Sequence, residues 1–225
     1  MIKFKAKYLK LLHPFMAKNE IRYYLEGIYV EPHPDGGVTL VATDGKAMIC
    51  IRDISGHCDN ARIIKITPDA VRKSGAANIT RCETFCTVDE ETQRLTIGAF
   101  YSDMGFEKLV EEYYIQPNKC FIEGKFPEWR RVLPDFDGLT EKIDSAMNLN
   151  LIRNLIQMGL SKMGFNAVRF WGSGTNSVVV VQFENHPEVV ALIMPMRGCI
   201  SDGSSLETLG AMFNKKINAN EVVLP

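Results

Sequence analysis

Residues 6–51 read AKYLKLLHPFMAKNEIRYYLEGIYVEPHPDGGVTLVATDGKAMICI, and their pattern sets the architecture. Tyr8, Leu11, Leu12, Phe15 and Met16 fall at helical spacing, so Ala6–Lys18 predicts an amphipathic helix. Pro14 sits where it kinks that helix or ends it early. Ile21–Glu31, rich in Tyr, Ile and Val, predicts a strand. Pro32 to Gly37 is a turn, Val38–Ala42 and Ala47–Ile51 are strands, and Thr43-Asp44-Gly45 is the tight bend between them.

The same order then restarts twice. Ile63–Ile66 predicts a strand, and Thr67-Pro68-Asp69 starts a helix, with Thr as N-cap, Pro in the first turn and Asp at the positive end. Gly75 ends it, and strands follow near Phe85–Val88, Arg94–Phe100 and Phe106–Val110. From Ala146, Asn148 or Asn150 caps a helix carrying Leu151, Leu155, Ile156 and Met158. Val168–Trp171, Ser177–Phe183 and Val189–Pro195 are its strands. A helix with three or four strands thus recurs three times at intervals of about 60–80 residues, longer than solenoid periods. The expected class is α+β: pseudo-repeats, each a helix packed on an antiparallel sheet.

The chain has 225 residues, 46% of them apolar and 24% charged, which suits one or two globular domains. No apolar run reaches the length of a membrane helix, and the first residues lack the apolar stretch of a signal peptide. Six scattered cysteines are too few for a disulfide framework and read as reduced, which implies a cytoplasmic protein. The net charge of −1 excludes a uniformly basic nucleic-acid binder but not a polarised one. Lys3, Lys5, Lys7, Lys10, Lys18 and Arg22 crowd the first 22 residues against Glu20 alone, while Asp89-Glu90-Glu91 and Glu111-Glu112 lie further on.

Catalytic patterns are lacking. The four histidines lie far apart, and His57-Cys58 and Cys82-x3-Cys86 have no second ligand pair at zinc spacing, so no metal and no cofactor are expected. Gly172-Ser173-Gly174 is not a phosphate loop, and no Gly-x-Ser-x-Gly elbow occurs. Asp44 reads as a turn former rather than a catalytic acid, with a hydrolase using Asp44 and His57 as a distant alternative.

Four stretches carry a resemblance: Arg22–Gly27 (RYYLEG), Val41–Lys46 (VATDGK), Gly124–Pro134 (GKFPEWRRVLP) and Ile193–Arg197 (IMPMR). Together and in this order they resemble the bacterial sliding clamp, the beta subunit of DNA polymerase III. Residues 1–134 resemble that family's middle domain, and residues 135–200 the second half of its last domain in truncated form. Residues 201–225 are an extension, with a helix over Ser205–Lys216 and a strand over Glu221–Leu224, which together can complete the second domain.

The resemblance implies a DNA replication processivity factor without enzymatic activity, which binds duplex DNA without sequence preference. It also implies an apolar pocket for linear peptide motifs of DNA polymerases or repair proteins. That pocket would be formed by Leu25, Thr43, Gly45, Lys46, Ala47, Met48, Pro127, Arg131, Val132, Leu192, Met194, Pro195, Met196 and Arg197. Methionines suit a floor that moulds to varied side chains. The family often has His-Arg where Lys46-Ala47 stands, so one large cation is gone from the rim. Arg22, Tyr23 and Tyr24 resemble a DNA-facing loop, and Lys7, Lys10, Lys18, Arg72, Lys73, Arg153 and Lys162 lie on or near the helices that would line a hole. A clamp loader and a homo-oligomeric ring of three or four copies are further implied partners. The alternative is a monomeric or dimeric peptide-binding adaptor or decoy that does not encircle DNA. Leu206–Phe213 reads either as an amphipathic helix or as a peptide for the chain's own or a neighbour's pocket.

Overall fold

The computed structural model describes residues 1–75, 82–103, 106–141, 143, 146–158, 167–174 and 177–196. The expected tail elements and the candidates Lys162 and Arg197 lie outside them.

The first round comprises β1 (Ile2–Lys5), α1 (Tyr8–Leu12), β2 (Gly27–Pro32), β3 (Val38–Thr43), β4 (Ala47–Asp53) and the short β5 (His57–Cys58). The second comprises β6 (Arg62–Lys65), α2 (Pro68–Lys73), β7 (Cys82–Asp89), β8 (Arg94–Asp103) and β9 (Phe106–Ile115). The third comprises α3 (Leu149–Gln157), β10 (Val168–Trp171), β11 (Val179–Phe183) and β12 (Val189–Ile193). The fold is α+β, with antiparallel strand pairing.

The first two rounds exchange their leading strands. β1 joins the five-stranded sheet β5-β1-β7-β8-β9, and β6 joins the seven-stranded sheet β10-β11-β12-β4-β3-β2-β6. The third round enters through β12, which pairs with β4 so that Leu192 stands opposite Met48 and Ile193 opposite Ala47. The larger sheet is apolar on both faces, in strict alternation. Leu40, Ala42, Ile49, Ile51, Val181, Phe183, Ala191 and Ile193 face the main core, where Leu9, Leu11, Leu12 and Phe15 pack from the first helical segment and Leu151 and Leu155 from α3. Val41, Met48, Cys50, Val180 and Leu192 face the other way, under Leu25, Phe126 and Trp129.

Several expected elements change. The helix over Ala6–Lys18 is α-helical only to Leu12; His13-Pro14-Phe15 tighten into a 3-10 turn, and Met16 is extended. Pro14 lacks the N–H that would continue the ladder. The strand expected from Ile21 begins only at Gly27. Residues 23–25 form a 3-10 turn closed by Leu25 N–H donating to Arg22 O, and Ile21 is 95% exposed. β1 and β5 were not foreseen. The caps are as read: Thr67 Oγ1 accepts from Ala70 N–H at 3.2 Å, and Asn148 Oδ1 from Asn150 N–H at 2.8 Å.

Cys82 and Cys86 lie on β7, and Cys86 is fully buried. Among the described residues no group of three His, Cys, Asp or Glu side chains is placed to hold a metal ion, and no helix is long and apolar enough to cross a membrane. Burial pushes the thiols of Cys50 and Cys120 up to about 12 and that of Cys58 to about 11.

Two outcomes follow from this packing. Ile193→Ala, which empties a core position on the strand joining the third round to the first, should cost about 2–5 kcal/mol in urea unfolding. In native protein at mildly alkaline pH, iodoacetamide should modify Cys82, half-buried, before Cys50, Cys58, Cys86 or Cys120. Peptide mapping by mass spectrometry reads the order.

Candidate functional site

The bend between β3 and β4 is fixed by its own side chains. Asp44 Oδ1 accepts from the N–H groups of Lys46 and Ala47, both at 2.8 Å. Thr43 Oγ1 donates to Ala47 O at 2.7 Å and accepts from Gly45 N–H at 3.0 Å. Gly45 has φ +85°, the left-handed region that favours glycine. Asp44 is therefore engaged as the turn former it was read to be, and His57 Nε2 lies 3.0 Å from Asp59 instead.

Beside this bend lies a cavity of about 200 Å³. Leu25, Met48 and Leu192 form its buried walls; Thr43, Gly45, Lys46 and Ala47 come from the bend; Pro127 and Val132 come from the segment that returns across the sheet; Met194 follows β12. Met194 N–H donates to Lys46 O at 2.9 Å, which holds the end of the last strand against the bend. Met194 and Val132 are 45% and 48% exposed, so the apolar surface is open to solvent. These ten residues, read from four separate stretches of sequence, are brought together.

The other pocket candidates fall differently. Arg131 is exposed on the 3-10 turn Trp129–Val132, and Pro195 and Met196 follow Met194; none of the three lines the cavity. Met196 N–H donates to Ala146 O at 2.9 Å, turning the chain away. The cavity also includes Glu128, Trp129 and Val178, which sequence reasoning missed. Glu128 and Trp129 sat within a quoted motif. Val178 was legible only by register: Val179 pairs with Ile193, so the preceding residue faces Met194.

Arg22 was read as DNA-facing, yet it lines this cavity. Its guanidinium lies over Gly45, where an added Cβ would stand 3.0 and 3.1 Å from Nη1 and Nη2. Tyr23 and Tyr24 pack edge to face at 5.8 Å and lie against Gly124; neither lines the cavity.

The helical cations form a separate group. α1 packs on α2, and α3 packs on the 3-10 turn that extends α1. Lys7, Lys18, Lys73 and Arg153 are exposed there. Arg72 is paired with Asp69 at 2.6 Å, and the Lys10 ammonium lies against Gly75. His13, between them, has its pKa lowered by burial and then by Lys18, so it adds little positive charge at neutral pH.

No protein-family model matches the sequence, and no curated protein matches it. Solved structures do. A DNA polymerase sliding clamp from Pseudomonas aeruginosa with ligand superposes with TM-score 0.56 at 17% identity, over 87% of this chain and 65% of that one. DNA polymerase III subunit beta from Borrelia burgdorferi, in complex with a natural product, gives 0.60 at 12% identity, over 89% and 64%. A sliding clamp from Bartonella birtlesii bound to griselimycin gives 0.57 at 16%, over 88% and 66%. This chain therefore has the fold of the bacterial sliding clamps, at about two thirds of the length of those clamp chains.

Proposed function

We propose that this protein is a clamp-like processivity factor. It captures linear peptides of a DNA polymerase or repair protein in the apolar cavity, and it holds duplex DNA through the helical cations without reading sequence. The observation that carries the reading is the cavity itself: open, methionine-edged and built by four distant stretches of chain around a bend fixed by Thr43, Asp44 and Gly45. Clamps of the same fold are known with a natural product or griselimycin bound. Burying two large apolar side chains yields about 3–6 kcal/mol. After ordering costs, micromolar affinity is expected.

The reading requires no bond to be made or broken. Lys7, Lys18, Lys73 and Arg153 supply a sequence-independent attraction to phosphates.

A peptide bearing neighbouring Leu and Phe side chains should bind, and Trp129 in the cavity wall should report it by fluorescence when the other tryptophan is changed by Trp171→Phe. Val132→Glu and Met194→Glu each alter an exposed position, so folding should persist while affinity falls by about tenfold or more. Unchanged affinity in both variants would remove the cavity's role.

Retention on closed-circular DNA, with loss on linearisation, is the outcome expected of a factor that encircles the duplex. Solution mass should then correspond to three or four chains. Equal retention on both forms, with peptide binding intact, supports the adaptor instead. Reversing Lys7, Lys18, Lys73 and Arg153 together to Glu should abolish DNA binding at moderate salt and leave peptide affinity unchanged.

A further inference from the structure

A second cleft, of about 570 Å³, lies across the same return segment. Pro127, Glu128 and Trp129 line both the cleft and the apolar cavity, so these residues form a wall between two adjoining spaces. The two differ in chemistry. The cleft has a rigid aromatic side, where the rings of Tyr29 and Phe126 stack at 4.7 Å and 2°. Around it stand seven charged side chains, and most already have partners. Arg130 is fixed 2.6 Å from Glu31, with its guanidinium 4.3 Å over the Trp129 ring. Arg62 reaches Glu90 at 3.7 Å, and Lys125 reaches Glu128 at 3.3 Å. Glu123 is exposed at the cleft and has no ion pair among the described residues. The three cations are therefore matched, and one carboxylate remains.

We propose that a peptide anchored in the apolar cavity continues over the Pro127–Trp129 wall into the larger cleft, where Glu123 and the aromatic side receive a lysine or arginine of that peptide. This rests on the cavity's role as a peptide site, and it names the partner more closely: apolar anchors with a basic residue close beside them. The stem of a long basic side chain packs on Tyr29 and Phe126 while its head meets the carboxylate.

Short acetylated peptides with the Leu and Phe anchors test it. Each carries lysine, norleucine or glutamate a few residues from the anchors, on the N-terminal side in one series and the C-terminal side in the other. Titrated against the full chain at low ionic strength, the lysine peptide of one series should bind about two- to fivefold more tightly than its norleucine counterpart, the range of an exposed ion pair. The glutamate peptide should bind more weakly. High salt should shrink the difference, and Glu123→Gln should remove it while leaving the norleucine peptide unaffected. Equal affinities for lysine and norleucine in both series, or a preference that survives Glu123→Gln, would overturn the inference and leave the cavity's role standing. Failure of every peptide to bind would overturn both.

Discussion

The reciprocal exchange of leading strands between the first two rounds is the constraint on which the rest of the structure depends. β1 pairs with β7 and with the short β5 rather than with β2, β3 or β4, and β6 pairs with β2. Neither sheet can open without losing a strand supplied by the other round. The chain must therefore cross between sheets at α1 and again at α2, which sets these helices side by side on the face both sheets share. β4 is then held by β3 on one side and β12 on the other. With both edges of β4 occupied, the bend that precedes it has a fixed direction, and the cavity can form beside it.

The two activities proposed use opposite faces of this framework. Alternation along β3, β4, β11 and β12 sends one set of apolar side chains to the helices and the other set to the return segment. The inner set makes a closed core. The outer set is covered only in part, by Phe126, Trp129 and Leu25, and the remaining gap is the cavity. Lys73 and Arg153 are exposed on α2 and α3, and Lys7 just before α1. A chain of net charge −1 can in this way present a basic surface to one partner and an apolar one to another.

The repeated order of helix and strands was legible because it depends on local signals: Thr67 and Asn148 as caps, Gly45 and Asp44 in the bend, period-two alternation in β3 and β4. The α+β class followed from that order. β1 was not legible, because four residues alternating with lysine carry too little apolar signal, and both its partners, β5 and β7, are distant in the chain. The strand exchange was lost with it. For the cavity, the resemblance drew together Leu25, Met48, Pro127, Val132, Leu192 and Met194, residues that no local rule connects. Arg22 was assigned to DNA from the resemblance of its stretch to a DNA-facing loop; its place over Gly45, in the lining of the cavity, needs the folded bend to be seen. Val178 required a register that only the paired strands reveal.

Among the described residues β9 ends its sheet, and Glu107, Lys108, Leu109, Val110, Glu111 and Glu112 along it are exposed. Its pairing with β8 slips at Ile97/Gly98 and again at Ala99/Phe100. An incoming strand would meet a ribbon that changes pitch twice and repels it with acids. Such a margin discourages copies of the chain from stacking edge to edge into fibrils.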